Sequence, residues 1–150
     1  MSESLAKFRV RFPDAEVYQH NERRLYLRIR REQLTEAAQF LHKECGMRLS
    51  ICTGIDTREG FEILYHFSED RTGVMHTLKV LLPKDDARVE SLAVWFPAAN
   101  WIEREMHELL GIDFVGHPNL IPLLTSDTDW DRTKFPLRRD YERRDEAHGH

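Results

Sequence analysis

The sequence predicts an α+β fold in which a mainly antiparallel sheet carries helices on one face, followed by an extended C-terminal segment. Consecutive segments alternate apolar and polar side chains and are joined by short turns, which is typical of antiparallel strands. Two further segments carry apolar residues at helical spacing. At 150 residues, of which 41% are hydrophobic, the chain is long enough for one core, and 2 cysteines do not indicate a disulfide framework.

The first two strands are predicted between Pro13 and the first long helix. Residues 15–18 form a short extended segment, and residues 25–29 alternate leucine and isoleucine with tyrosine and arginine. Residues 20–22 separate the two segments and have the composition of a hairpin turn.

An amphipathic helix is predicted over residues 32–45. Its apolar residues recur three or four positions apart on one face: Leu34, Ala37, Ala38, Leu41 and Cys45. Gly46 follows at once and can adopt the left-handed conformation that ends a helix.

Three more strands are predicted over residues 47–56, 60–67 and 74–82. Each places apolar side chains at alternate positions, so one face of each strand is suited to the core. Short, turn-like connections join them, and Pro83 cannot continue the ladder of the last one. Such a succession of strands favours antiparallel pairing.

A second helix is predicted over residues 101–110. Asn100 stands at the N-cap position, and Gly111 follows the last apolar position. The apolar residues of this segment again fall on one stripe.

The remaining chain predicts a segment that packs on something else. Residues 113–141 contain glycines and prolines and little periodicity, yet they keep many large apolar side chains. We therefore assign residues 1–112 to the α+β domain and residues 113–150 to an extended C-terminal strap with a charged tail.

The charge balance argues against nucleic-acid binding. The chain has 22 basic and 26 acidic residues, a formal net charge of −4, and no stretch concentrates the basic residues. The first residues lack an apolar leader, and the densest apolar stretch, residues 92–99, is far shorter than the roughly 20 residues that span a bilayer. We expect a cytoplasmic protein that does not itself enter the membrane.

Residues 107–111 (HELLG) begin like the zinc-protease helix signature but lack its second histidine. Glu103 and His107 share a helix face and His117 is close in sequence, so a small metal-dependent enzyme stays an alternative. A hydrogen-bond network is the commoner use of such residues. The sequence contains no phosphate-binding glycine loop and no nucleophile motif. By themselves the residues predict a domain without catalytic, cofactor-binding or metal-ligating side chains.

Charged residues are packed among aromatic residues between Trp95 and Tyr141. Arginine forms planar two-point pairs with carboxylates, so residues 103–105 (ERE) and 138–140 (RRD) are suited to an ordered interface network. An ordinary solvated helix face is the alternative for the same residues.

Three strings carry a resemblance to a known family: WFPAANWIERE at 95–105, LGIDFVGHP at 110–118 and PLRRDY at 136–141. Together they resemble the signature of the C subunit of NADH:quinone oxidoreductase, respiratory complex I. The same family includes the equivalent subunit of membrane-bound nickel–iron hydrogenases, such as formate-hydrogenlyase. Leu110 and residues 121–122 depart from the respiratory pattern, which keeps the energy-converting hydrogenase branch as an alternative.

The resemblance implies a non-catalytic peripheral-arm subunit of a membrane-bound, ion-translocating redox complex. Such a subunit holds no cofactor of its own; iron–sulfur clusters and a flavin or nickel–iron centre belong to partner subunits. The implied partners are the large subunit that forms the quinone or nickel–iron site and the small iron–sulfur subunit. Membrane association comes through other subunits, and the implied location is peripheral, on the cytoplasmic side of the cell membrane.

The resemblance also places the partner interface in residues 95–141. Charged and histidine side chains are expected to form its polar contacts and large apolar side chains its anchors, since Arg and Trp often contribute most of the binding energy. The expected interface residues are Glu103, Arg104, Glu105, His117, Arg138, Arg139, Asp140, Trp95, Trp101 and Phe114. A free-standing adaptor for an unrelated partner stays a further alternative.

Overall fold

Five strands form the sheet at the centre of the molecule. The computed structural model describes residues 2–121 and 135–138. The strands are β1 Glu16–Asn21, β2 Arg24–Ile29, β3 Arg48–Asp56, β4 Phe61–Glu69 and β5 Val74–Leu82. Their spatial order is β1-β2-β5-β4-β3, and every neighbouring pair is antiparallel except β2 with β5. The prediction of an α+β fold with a mainly antiparallel sheet is confirmed.

The parallel pair arises because the last strand returns to the centre of the sheet. β1 and β2 form a hairpin, in which Asn21 Oδ1 accepts a hydrogen bond from the Arg23 amide at 2.8 Å. β3, β4 and β5 then form an antiparallel meander, and β5 enters beside β2. Alternation along the chain predicts each strand, but it does not specify which neighbour the last strand finds.

Helices pack on one face of the sheet, as predicted. Among the described residues they are α1 Glu3–Arg11, α2 Leu34–Gln39 and α3 Pro97–Leu110. The covered face carries Leu27, Ile63 and Leu78, which are fully buried. The opposite face carries half-buried side chains such as Tyr26 and Lys79. Within the described ranges, no helix combines the length and the apolar character that crossing a bilayer requires.

The first two helices differ from the sequence prediction. α1 is absent from the predicted elements, because its buried side consists of only Ser4, Leu5 and Phe8. The helix predicted over residues 32–45 exists, but it consists of a 3₁₀ turn at Arg31–Gln33, then α2, then a π-helical turn at Phe40–Glu44.

The start of α3 also differs from the prediction. The helix begins at Pro97, and Phe96 occupies the N-cap position, so the prediction of an N-cap at Asn100 is wrong. Proline is favoured at the first helical position because its fixed φ suits the helix and because an N–H at that position would have no partner within the helix.

The 3₁₀ turn, α2 and the π-helical turn together form the α2 segment, residues 31–44. This segment and α3 end in the same way. A histidine in the last turn donates a ring N–H to the carbonyl five residues later, His42 to Met47 and His107 to Ile112, each at 2.8 Å. The glycine just before each acceptor has a positive φ, 68° and 80° respectively, a conformation that a Cβ disfavours. The HELLG string at 107–111 therefore ends a helix in this fold.

A second, two-stranded sheet joins residues from either side of α3. β6 Arg88–Glu90 and β7 Asp113–Val115 pair in parallel. Phe114 in β7 is 1% exposed and belongs to the core. The folded part of the chain therefore continues past residue 112, where the predicted boundary between domain and strap lies.

Candidate functional site

α3 is the element around which the predicted interface residues gather. Its inward side chains, such as Met106 and Leu110, are buried, whereas Trp101 is half exposed. The helix approaches β3 at Gly54, where a Cβ would lie 2.7 Å from Leu110 Cδ1. The absence of a side chain at that position allows the helix to pack closely on the strand.

Glu103 is fully buried on the inward side of α3 and is held by the segment that precedes the helix. Ser91 Oγ donates a hydrogen bond to Glu103 Oε1 (2.6 Å), and the Leu92 amide donates one to Glu103 Oε2 (2.9 Å). Burial raises the pKa of Glu103 to about 7, although these hydrogen bonds favour the charged form. The carboxyl group therefore titrates near neutral pH while it fixes the backbone at residue 92.

Cys52 and Tyr65 are paired across β3 and β4 and lie near Glu103. Burial raises the pKa of the Cys52 thiol and that of the Tyr65 hydroxyl, and the charge of Glu103 acts in the same direction. Both groups are therefore neutral at physiological pH and lie near the ionisable carboxyl group of Glu103.

His117 lies in the loop after β7, and its side chain is fully buried. Its Nε2 donates to the Asn100 carbonyl (3.0 Å), and its Nδ1 accepts from the Asn119 amide (2.9 Å). These partners assign the neutral imidazole, because a charged ring has two donors and no acceptor. Glu103 Oε1 is 3.9 Å from His117 Nε2, so the two predicted interface residues lie together beneath the surface.

The sequence leaves a metal site at Glu103, His107 and His117 as an alternative. In the structure these side chains make hydrogen bonds within the chain. Backbone groups use both ring nitrogens of His117, and His107 Nδ1 donates to the Ile112 carbonyl. Among residues 2–121 and 135–138, no three His, Cys, Asp or Glu side chains are grouped so that they could hold a metal ion. The hydrogen bonds of His117 fit a structural role.

Residues 91–96, called the 91–96 turn below, lead into α3. The Leu92 carbonyl accepts hydrogen bonds from the amides of Trp95 (3.0 Å) and Phe96 (2.8 Å), which closes the turn. Leu92 and Phe96 are buried, whereas Val94 and Trp95 between them are at least half exposed. The turn is therefore anchored at both ends and presents two apolar side chains.

Residues 135–138 return to the C-terminal end of α3. Arg138 Nε donates to the Leu110 carbonyl (2.7 Å), and its guanidinium lies 5.0 Å from the ring centre of Phe61 and 4.3 Å from that of Phe135. A backbone hydrogen bond joins the same two segments. Arg138, predicted at the partner interface, thus caps α3 within the chain.

Arg104 connects α3 with the loop that follows β7. Its Nε donates to the Ile121 carbonyl at 3.2 Å. Glu105, the next residue of the helix, is half-buried. The three residues of the ERE string therefore have different surroundings. Glu103 faces the core, whereas Arg104 and Glu105 are half-buried at the sides of α3.

Large exposed apolar side chains are concentrated on α3, in the segments on either side of it in the chain, and in the segment that returns to its C-terminal end. Six of the ten such side chains among the described residues come from this region, each at least half exposed: Val94, Trp95, Trp101, Val115, Ile121 and Leu137. Exposed apolar side chains that recur in one region, with tryptophan among them, are typical of a protein-contact surface.

The structure places the predicted interface residues at different depths. Those at the surface are Trp95 and Trp101; those half-buried are Arg104, Glu105 and Arg138; those with buried side chains are Glu103, His117 and Phe114. Arg139 and Asp140 lie outside the described residues. A direct contact with a partner is thus open to the first two groups, whereas the side chains of the third group do not reach the surface.

Three residues of this region are missing from the predicted set: Lys43 and Val94, which are exposed, and Ser91, which is buried. Lys43 Nζ lies 5.7 Å from the ring centre of Trp95, a contact between the end of the first predicted helix and a turn far along the chain. No local pattern signals that contact or the hydrogen bond of Ser91. Val94 could have been found, because it lies in the apolar stretch at 92–99.

The fold and this surface define an α+β domain in which a buried polar network lies under exposed aromatic and aliphatic side chains. The chain belongs to the family described as "Respiratory-chain NADH dehydrogenase, 30 Kd subunit", whose sequence model matches residues 27–147. The family predicted from the three motif strings is thereby confirmed.

Curated relatives in two enterobacteria illustrate the match. The chain is 38% identical over 125 residues to the C/D subunit of NADH-quinone oxidoreductase from Erwinia tasmaniensis, and 36% identical over 125 residues to that from Salmonella typhimurium. Each alignment covers 75% of this chain and 20% of the relative. The chain therefore spans about a fifth of the length of the curated relatives it matches.

Solved structures share the fold. A trypsin-resistant fragment of Nqo5 superposes with a TM-score of 0.65 at 26% identity, covering 77% of this chain and 96% of that fragment. A chain of the membrane-bound sulfane sulfur reductase, an archaeal respiratory membrane complex, superposes with a TM-score of 0.82 at 23% identity, covering 98% of this chain and 88% of that one. The second likeness concerns the fold alone.

Proposed function

We propose that this chain is a non-catalytic peripheral-arm subunit of a membrane-bound, ion-translocating redox complex of the complex I type. Its task is to hold the large catalytic subunit in register with the iron–sulfur electron path. The observation that carries the proposal is the exposed apolar surface around α3, supported from below by Glu103 and His117. Family membership supports it, because the matched relatives are named as subunits of NADH-quinone oxidoreductase.

The names of the relatives support the choice of partner. They are called C/D subunits, and the present chain matches only 20% of their length. Parts that share one polypeptide stay close to each other, so the unmatched remainder of such a relative is a natural counterpart of this domain. We take the large subunit that corresponds to this remainder as the partner at the α3 surface and the small iron–sulfur subunit as a second partner.

The arrangement of polar groups supports positioning rather than catalysis. The two carboxyl oxygens of Glu103 accept hydrogen bonds from Ser91 and Leu92, and both ring nitrogens of His117 are used by backbone groups. In the proposed complex, electron transfer belongs to iron–sulfur clusters and a flavin that partner subunits hold, and this chain supplies their relative placement. The proposed location is peripheral, at the cytoplasmic face of the membrane, with attachment through other subunits.

Affinity purification of the tagged full chain from its native membranes in mild detergent tests this function. We expect mass spectrometry to identify the large subunit and the small iron–sulfur subunit in the eluate, together with NADH:quinone reduction. Hydrogen evolution in place of that activity would assign the chain to the nickel–iron hydrogenase branch. Recovery of the chain alone would overturn the proposal.

A pair of matched variants tests the place of the interface. Trp101 is half exposed on α3, whereas Tyr18 is exposed on β1, at the sheet edge opposite to β3. We expect Trp101→Ala to lower the amount of large subunit recovered by at least about fivefold, since exposed tryptophans often dominate binding. Tyr18→Ala should leave that amount unchanged. Equal recovery with the two variants would contradict an interface around α3.

A further inference from the structure

The 91–96 turn is fixed at its first end by a buried carboxyl group. Ser91 Oγ accepts a hydrogen bond from the Ala93 amide (3.0 Å) and donates one to Glu103 (2.6 Å), while the Leu92 amide donates to the other oxygen of Glu103 (2.9 Å). Glu103 thus holds two consecutive residues of the turn. These hydrogen bonds are buried, so water does not replace them readily.

The second end of the turn is fixed by aromatic packing. Phe96 is buried and meets Phe67 edge-on with ring centres 5.7 Å apart, and His42 edge-on at 5.3 Å. Pro97 follows with its restricted φ and begins α3. Only the middle of the turn, Val94 and Trp95, points to solvent.

Lys43 places a positive charge beside this exposed pair. Its Nζ lies 5.7 Å from the ring centre of Trp95 and donates to Oε1 of the neutral Gln39 at 3.4 Å. The ammonium group therefore restrains the indole by a cation–π contact, and an acidic group of a partner can approach it.

We propose that Glu103 is a positioning residue that presents Val94 and Trp95 as a preformed knob, which enters an apolar pocket beside a carboxylate on the large partner subunit. The inference rests on the proposed function and specifies how that interface works. Glu103 does not touch the partner; it acts through the backbone of the turn. Since a side chain that is already ordered loses little freedom on binding, holding the turn strengthens the association.

Two substitutions of Glu103 separate its hydrogen bonds from its charge. In Glu103→Gln the amide oxygen still accepts from the Leu92 N–H, and the amide nitrogen donates to Ser91 Oγ, so the contact with Ser91 is kept with its direction reversed. In Glu103→Leu the volume is similar, but the Leu92 N–H and the Ser91 hydroxyl lose their acceptor. If Glu103 acts through these hydrogen bonds, the Gln variant behaves like the wild type and the Leu variant differs from it.

Fluorine NMR of the full chain labelled with 5-fluorotryptophan tests the effect on the turn. The chain has 3 tryptophans, and the Trp95 signal is assigned by its loss in Trp95→Phe. We expect Glu103→Leu to shift the Trp95 signal toward the position of an unfolded peptide while the Trp101 signal stays in place, and Glu103→Gln to leave both unchanged. An unchanged Trp95 signal in Glu103→Leu would overturn the positioning role.

Titration of the co-expressed large subunit with the full chain tests the effect on binding. We expect Kd to rise at least about tenfold in Trp95→Ala and in Glu103→Leu, and by less than about threefold in Glu103→Gln. Lys43→Gln should raise Kd and weaken its dependence on salt, because an ion pair across the interface is lost. The controls are Tyr18→Ala and Arg30→Gln, which alter exposed side chains on β1 and just after β2 and should bind like the wild type.

The outcomes distinguish this inference from the proposed function. If the wild-type chain does not bind the large subunit, the proposed function fails and this inference fails with it. If the wild type binds and Trp95→Ala binds equally well, the function stands and the knob is wrong. If circular dichroism shows that Glu103→Leu is unfolded, Ser91→Ala takes its place; it removes one of the two donors to Glu103, and it must weaken binding for the positioning role to hold.

Discussion

At the scale of single residues, two buried titratable groups connect the stability of this fold to pH in opposite directions. Burial raises the pKa of Glu103 to about 7 and lowers the pKa of His76. In both cases the cause is the penalty on the charged form, which is an anion in one group and a cation in the other.

Glu103→Gln should remove one pH dependence of the wild type. The folded protein binds this proton more tightly than the unfolded chain, whose carboxyl titrates near 4.5. The contribution of this bound proton to the free energy of unfolding is complete below about pH 4.5, and it is lost as the pH rises through about 7. Relative to the wild type, the variant should gain roughly 3 kcal/mol in its free energy of unfolding between about pH 4 and about pH 8. Urea unfolding at a series of pH values measures this difference, and a constant difference would contradict it.

His76→Leu should change how the stability of the protein depends on pH below neutrality. His76 is fully buried on β5, and burial lowers the pKa of its imidazole, although the charge of Glu69 opposes this shift. Its contribution to stability is present above the unfolded value near 6.5 and is lost as the pH falls below it. We expect the variant to lose less thermal stability than the wild type between about pH 7 and about pH 5. His20→Leu alters an exposed histidine and should keep the wild-type slope.

At the scale of elements, the contact between α3 and β3 depends on a missing side chain. A Cβ at Gly54 would lie 2.7 Å from Leu110 Cδ1 and 3.0 Å from Met106 Sδ, so the helix must move outward to admit it. We expect Gly54→Ala to lower the free energy of unfolding by about 1–3 kcal/mol. Chemical denaturation measures it, with Thr53→Ala, exposed on the same strand, as the control. Equal stability of the two variants would show that this contact is looser than the structure indicates.

The C-terminal end of α3 also depends on an arginine from outside the helix. Arg138 donates to the Leu110 carbonyl, and its guanidinium lies 5.0 Å from the ring centre of Phe61 and 4.3 Å from that of Phe135. Arg138→Ala should therefore lower the free energy of unfolding by about 1.5–3 kcal/mol, the usual range for a charged hydrogen bond. Arg9→Ala on α1, where the arginine is exposed, should change it by less than about 0.5 kcal/mol. If thermal unfolding finds no difference between them, Arg138 acts only toward a partner.

At the scale of the whole molecule, the domain boundary can be tested by truncation. β7 lies just beyond residue 112, pairs with β6 and buries Phe114. A fragment of residues 1–121 should keep the far-UV circular dichroism and a cooperative thermal transition. A fragment of residues 1–112 should lose them, since removing a buried Phe costs about 3–5 kcal/mol. Cooperative unfolding of the shorter fragment would support the boundary predicted from sequence.

Much of the fold could be predicted because it depends on local periodicity. Alternation predicts all five strands of the main sheet, and helical spacing predicts the α2 segment and α3. α1 escapes this prediction because its apolar face is narrow, and the β6–β7 pair escapes it because three-residue strands carry almost no pattern. The interface itself stays a prediction, and the sequence could not indicate the depth at which each of its side chains lies.

The sequence by itself determined the class of fold, the positions of the strands and longer helices, and the motif strings that identify the family. Only the tertiary structure decided that β5 lies parallel to β2, that Glu103 is buried against Ser91, and that Lys43 covers the ring of Trp95. The physical reason is the range of the interactions. Periodicity and turn chemistry act between neighbours in the chain, whereas these contacts join residues that become neighbours only after the sheet and the helices have packed.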